Sequence, residues 1–170
     1  NFIIRAVINA PTATNDVFIV GDSIVAREGD STGQGDAWQN FGDCKINNNA
    51  NHVFSGDTSG PAATDGFVAL NSQIIVREGD VVANLGTLTG NPSAVAINDL
   101  QQIGFIWNVA GGGEGLVLLT PDAAGGYVTD VLLKNGDPVD LDGDGIVDAV
   151  VTDFNASTVI GPGLDLPRQC

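Results

Sequence analysis

Apolar residues along this chain come in short runs bounded by turn-forming residues, and no stretch shows a sustained helical period with caps. VFIV (17–20) is followed by the turn GD and then SIVAR (23–27). FVAL (67–70) is followed by NS and then QIIVR (73–77). EGLVLL (114–119) is followed by a longer turn, PDAAGG (121–126), and then DVLLK (130–134). Two β-rich runs around a turn predict a hairpin. IIV (74–76) and VLL (131–133) are continuously apolar, which predicts strands covered on both faces. Each hairpin closes on the same words: REGD (27–30), REGD (77–80) and KNGD (134–137). Gly can take a positive φ there and the Asp carboxylate can accept turn N–H groups, so the motif predicts a strand-ending turn. A further segment follows each copy: INNNANHVF (46–54), INDLQQIGF (97–105) and TDFNASTVI (152–160). Asn47, Asn98 and Asp153 each stand seven residues before an apolar residue, Phe54, Phe105 and Ile160. These segments predict a turn and then a strand.

A recurrence every fifty residues or so predicts a repeat architecture. The expected fold is all-β, with three roughly fifty-residue antiparallel units in a propeller-like or sandwich-like arrangement. One domain spans 1–170: a joining strand and linker (1–15), units at 16–64, 65–113 and 114–163, and a tail (164–170). NFIIRAVI (1–8) is placed where the last strand of a preceding unit would be. Three units fall short of the four to eight blades of a closed propeller, and an open array leaves edges that must be covered. The N-terminal strand can fold back on its own chain, insert into the next subunit by strand exchange, or sit at home in one closed sandwich or barrel.

Charge narrows the partners. The formal net charge is −15, with six Lys and Arg, too few basic residues for the phosphates of nucleic acid or anionic lipid. No apolar run reaches membrane-spanning length, so no membrane insertion is expected. The sequence starts at Asn1 with neither Met nor a signal-peptide pattern, so either a processed, mature product or an expressed piece of a protein is expected. Cys44 and Cys170 can form one disulfide, pair between subunits or stay free; spacing does not decide, and with no His near them in sequence they suit an oxidising compartment better than a catalytic thiol.

One stretch carries site chemistry. DLDGDGIVD (140–148) alternates Asp140, Asp142 and Asp144, then Gly145, the backbone carbonyl of Ile146 and Asp148. Ca²⁺ takes six to eight oxygen ligands, and alternate carboxylates with a Gly for the turn wrap one point. An EF-hand would need Glu at the twelfth position, where Val151 stands, and flanking helices. The alternative is a solvated acidic turn, but four like charges this close repel without a cation. Ca²⁺ in a structural role is therefore expected here. His52, the sole histidine, lacks the partners of a catalytic triad. GGGEG (111–115) is followed by no Lys, Ser or Thr as a phosphate loop requires. Asn155-Ala156-Ser157 is a glycosylation sequon. Trp38 and Trp107 suit core packing; exposed, they would stack on sugar.

The Asn-led segments resemble secreted bacterial tandem-repeat proteins with the motif NxxGxxAF followed by a hairpin that ends in a REGD-like turn. Asn47, Val53 and Phe54 follow the motif with Ala50 at its Gly; Asn98 and Phe105 follow it with Gln101 at its Gly and Gly104 at its Ala. The acidic run is similar to the calcium loops of FG-GAP propeller repeats and thrombospondin type-3 repeats. The resemblance implies an extracellular or surface-anchored array of propeller-like β units and no particular reaction. The expected function is a non-enzymatic structural subunit of a bacterial surface fibre or matrix, self-associating through the joining strand and stiffened by calcium. The alternative is a secreted binding module for glycan or protein.

Overall fold

The computed structural model describes residues 1–154. Its regular structure is β throughout, apart from a 3₁₀ turn at Thr12–Thr14. The first sheet holds β1 (Ile3–Val7), β2 (Asp16–Val20) and β3 (Ser23–Arg27) in that order. The second is built on β6 (His52–Thr58), flanked on one side by β4 (Trp38–Gln39) and β5 (Cys44–Ile46) and on the other by β7 (Phe67–Leu70) and then β8 (Gln73–Arg77). A small hairpin, β9 (Val81–Val82) with β10 (Gly86–Thr87), leads onward. The third sheet runs β11 (Ala94–Ile97), β12 (Ile103–Asn108), β13 (Glu114–Pro121), β14 (Tyr127–Lys134). A last small hairpin pairs β15 (Pro138–Val139) with β16 (Ala149–Val150). All pairings are antiparallel.

All three predicted hairpins form: β2–β3, β7–β8 and β13–β14. Asn71 and Ser72 both have positive φ, as a two-residue hairpin turn that follows the strand twist demands. Each hairpin carries a bulge at the same place, which leaves Val25, Ile75 or Leu132 unpaired two residues before the Arg or Lys. The three strand-ending turns then make one set of bonds. Asp30, Asp80 and Asp137 each donate a backbone N–H to the carbonyl three residues back, at 3.1 Å in every copy. Gly29, Gly79 and Gly136 donate to Trp38, Leu88 and Val151. Those residues donate back to Asp30, Asp80 and Asp137. The repeated words thus fasten each hairpin to the segment that follows it.

β1 pairs with β2 of its own chain, from Ile3↔Val20 to Val7↔Asp16. It takes the place that β6 and β12 take in their sheets. β6 has β5 and β4 on its far side and β12 has β11, whereas β1 has no strand there among the described residues. The strands on either side of 64/65 pair within one sheet, as do those on either side of 113/114.

Buried side chains between consecutive sheets form two clusters. Phe18 and Ala26 of the first sheet meet Trp38, Phe54, Phe67, Ala69 and Ile74 of the second, with Phe41 between. Ring centroids of Phe18 and Phe54 stand 4.8 Å apart, and those of Trp38 and Phe67 5.0 Å, within the range of favourable tilted aromatic pairs. Val53, Val68 and Val76 of the second sheet meet Ile103, Phe105, Trp107 and Val117 of the third. The second sheet is covered on both faces, as IIV predicts.

Candidate metal centre

The acidic run is the tip of the last small hairpin. Val139↔Ala149 closes it, and residues 140–148 form the loop. The earlier hairpins close at Ser31↔Ala37 and Val82↔Gly86, with much shorter tips. Asp140 carboxylate oxygens accept the N–H groups of Gly143 (2.7 Å) and Gly145 (2.8 Å). Asp142 accepts from Asp144 at 3.2 Å, and Asp148 accepts from Leu141 at 2.8 Å, tying the two ends of the loop together. Gly143 and Gly145 both have positive φ, which turns the backbone around these carboxylates.

Asp140, Asp142 and Asp148 each bring an oxygen within 4.8 Å of the others. Ligands at about 2.4 Å on opposite sides of one Ca²⁺ span that distance, so the trio fits a single hard cation. Asp144 instead turns onto the Ile146 N–H at 2.7 Å and stands outside the trio. The Asp140 carboxyl is held below its usual range by the Gly145 and Gly143 N–H groups, so it stays ionised in mildly acidic solution.

Other sequence candidates fall elsewhere. Cys44, on β5, has no disulfide partner among the described residues, and burial and then Asp43 push its thiol pKa up. Cys170 and Asn155 lie outside the described residues. His52 is buried and stacks on Phe54 with rings 8° from parallel; burial lowers its pKa, so the ring is neutral near pH 7. Trp38 and Trp107 are both buried, and Trp107 donates its indole N–H to the Gly90 carbonyl at 2.8 Å. Neither offers a face for sugar stacking, because both fill the clusters between sheets. GGGEG links β12 to β13, with Gly111, Gly112 and Gly113 at positive φ.

Two features escape a sequence reading. The tip of each of the first two small hairpins reaches the cation that precedes the next turn: Asp36 pairs with Arg77 at 3.0 Å, and the Asn84 carbonyl accepts from Lys134 at 2.7 Å. Asp65 stands beside Glu78, and burial followed by that carboxyl raises its pKa. Nothing in the local sequence around these residues encodes either contact.

Fold and loop together define an all-β protein of successive antiparallel sheets that carries one carboxylate loop fit for a hard cation. Compared with family models, with curated proteins and with solved structures, the chain finds no match.

Proposed function

We propose that this chain is a non-enzymatic structural subunit of an extracellular fibre or matrix at a bacterial surface. Its three units of about fifty residues form an open propeller-like array, joined head to tail by strand complementation and stiffened by Ca²⁺ at Asp140, Asp142 and Asp148. One observation carries the reading: the open edge of β1, beside which the other two sheets each hold a further strand. Phe2 accepts from Gly21, and Ile8 donates to Asn15, so the even-numbered residues of β1 bond towards β2. Alternation then turns the N–H and C=O groups of Ile3, Arg5 and Val7 to the open side. An unpaired row of this kind takes a strand from another chain. No helix among the described residues is long and apolar enough to cross a membrane.

Val7→Pro removes one donor from the open row, at a residue 73% exposed, without touching the bonds to β2. Sedimentation velocity of the full chain in calcium is expected to show the assembled fraction fall in this variant while circular dichroism stays native. Assembly equal to wild type would contradict strand complementation at β1.

A second reading, a secreted binding module for glycan or protein, is favoured by a cleft of about 490 Å³ between the second and third sheets. Ile75, Val82, Phe105, Leu119 and Tyr127 line it, a mixture suited to a partly apolar ligand.

A further inference from the structure

Register shows that each sheet presents equivalent rows of side chains on its two faces. Phe54, Ala69 and Ile74 are aligned across the second sheet and pack against the first. Phe105, Val117 and Val131 are aligned across the third and pack against the second. The same row of the first sheet is Ile4, Ile19 and Ile24. No sheet precedes it, and Ile4 and Ile24 are 50% and 52% exposed.

The opposite faces tell the same story. Phe18 and Ala26 of the first sheet, and Val68 and Val76 of the second, are paired residues that pack on the sheet that follows. Their counterparts in the third sheet are Leu116 and Leu133. The bulged Val25 and Ile75 pack towards the following sheet too, while the equivalent Leu132 is 48% exposed. The array therefore ends in two apolar faces whose counterparts are buried against each other at both internal junctions.

Charge runs in the same direction. At each internal junction a hairpin tip reaches the cation of the next sheet, Asp36 to Arg77 and Asn84 to Lys134. Arg27 holds that position in the first sheet. Its guanidinium donates to Thr14 (2.7 Å to the carbonyl), and it makes no ion pair among the described residues. At the other end, the hairpin tip with no sheet beyond it among the described residues is the acidic loop of residues 140–148.

We propose that the partner of these faces is a second copy of this chain. The Leu116–Leu132–Leu133 face of one copy stacks on the Ile4–Ile19–Ile24 face of the next, and the acidic loop meets the next copy's Arg27. The contact is heterologous, so it propagates rather than closing a dimer. It rests on the head-to-tail reading above and adds to it the surfaces that meet.

The test uses two variants of the full chain. Leu132→Asp blocks the trailing face and Ile24→Asp the leading face; both positions are about half exposed, and neither is on β1, Ile24 standing on β3 and Leu132 on β14. Light scattering after size exclusion is expected to show each variant alone as a monomer. A 1:1 mixture forms a heterodimer, because each variant keeps one competent face, and its formation also shows that both are folded. Adding Arg27→Glu to the Leu132→Asp chain is expected to weaken that heterodimer about tenfold. Variants that assemble like wild type would overturn the face contact and leave strand complementation standing. Two monomeric variants that give no dimer on mixing would overturn the contact as well. A wild-type chain that stays monomeric at every concentration would overturn both readings.

Discussion

At the residue scale, the informative positions are those where the backbone asks for something the side chain does not supply. Ala50 and Gln101 stand where the NxxGxxAF motif has Gly, and both have positive φ, 64° and 60°. The left-handed conformation costs an L-residue about 1–2 kcal/mol that Gly avoids. The turns hold because Asn47 and Asn98 replace the lost backbone preference with side-chain bonds. Asn47 accepts from Asn49 and Asn51, and Asn98 accepts from Leu100 and Gln102. Gln101→Gly is therefore expected to stabilise the chain by about 1 kcal/mol, a rise in Tm of about 3 °C. Thermal unfolding followed by circular dichroism reads this, and an unchanged or lower Tm would contradict it. The Asn spacing was legible in the sequence because the turn is local. The positive φ was legible only through the motif, since neither Ala nor Gln announces it.

At the scale of elements, three hairpins each end in a closing turn that is followed by a short hairpin. The contact from tip to next sheet is the least local part of this arrangement. Burial pulls the Asp36 carboxyl upward, but hydrogen bonds from Thr32, Thr58 and Arg77 outweigh it and leave the pKa below the usual value. A lowered folded-state pKa means that the folded state binds fewer protons than the unfolded state between the two pKa values. The stabilisation is complete above the ordinary carboxylate range and is lost as pH falls through the lowered value. Arg77→Gln is expected to cost about 1–2 kcal/mol at pH 7, with the cost shrinking as pH falls below 4. Urea unfolding at both pH values measures it; a cost that does not change with pH would assign the effect to packing alone. The hairpins and their strand-ending turns were legible because two-residue turns and the REGD words act within a few residues. Asp36 and Arg77 are forty-one residues apart, and neither stands out among 21 acidic residues and six basic ones.

At the scale of the whole molecule, the ends differ from the middle only in what covers them. Ile4, Ile19 and Ile24 are as apolar as the buried Phe54, Ala69 and Ile74 of the same register. Hydrophobic pattern alone therefore predicts two covered faces for every sheet, and among the described residues one face has no sheet against it at each end. The carboxylate trio of the last hairpin was legible from its alternating spacing. The departure of Asp144 was not, because it depends on which backbone N–H the folded loop turns towards its carboxylate. An open strand edge, two matching apolar faces and an acidic loop at one end are the features on which the proposed head-to-tail assembly rests.

Negative-stain electron microscopy of the full chain, with calcium and then with a chelator, tests that account most directly. Filaments that form in calcium and shorten or separate when it is removed are the expected result. Uniform single particles in both conditions would contradict the account, because neither the edge of β1 nor the two end faces would then be meeting a second copy.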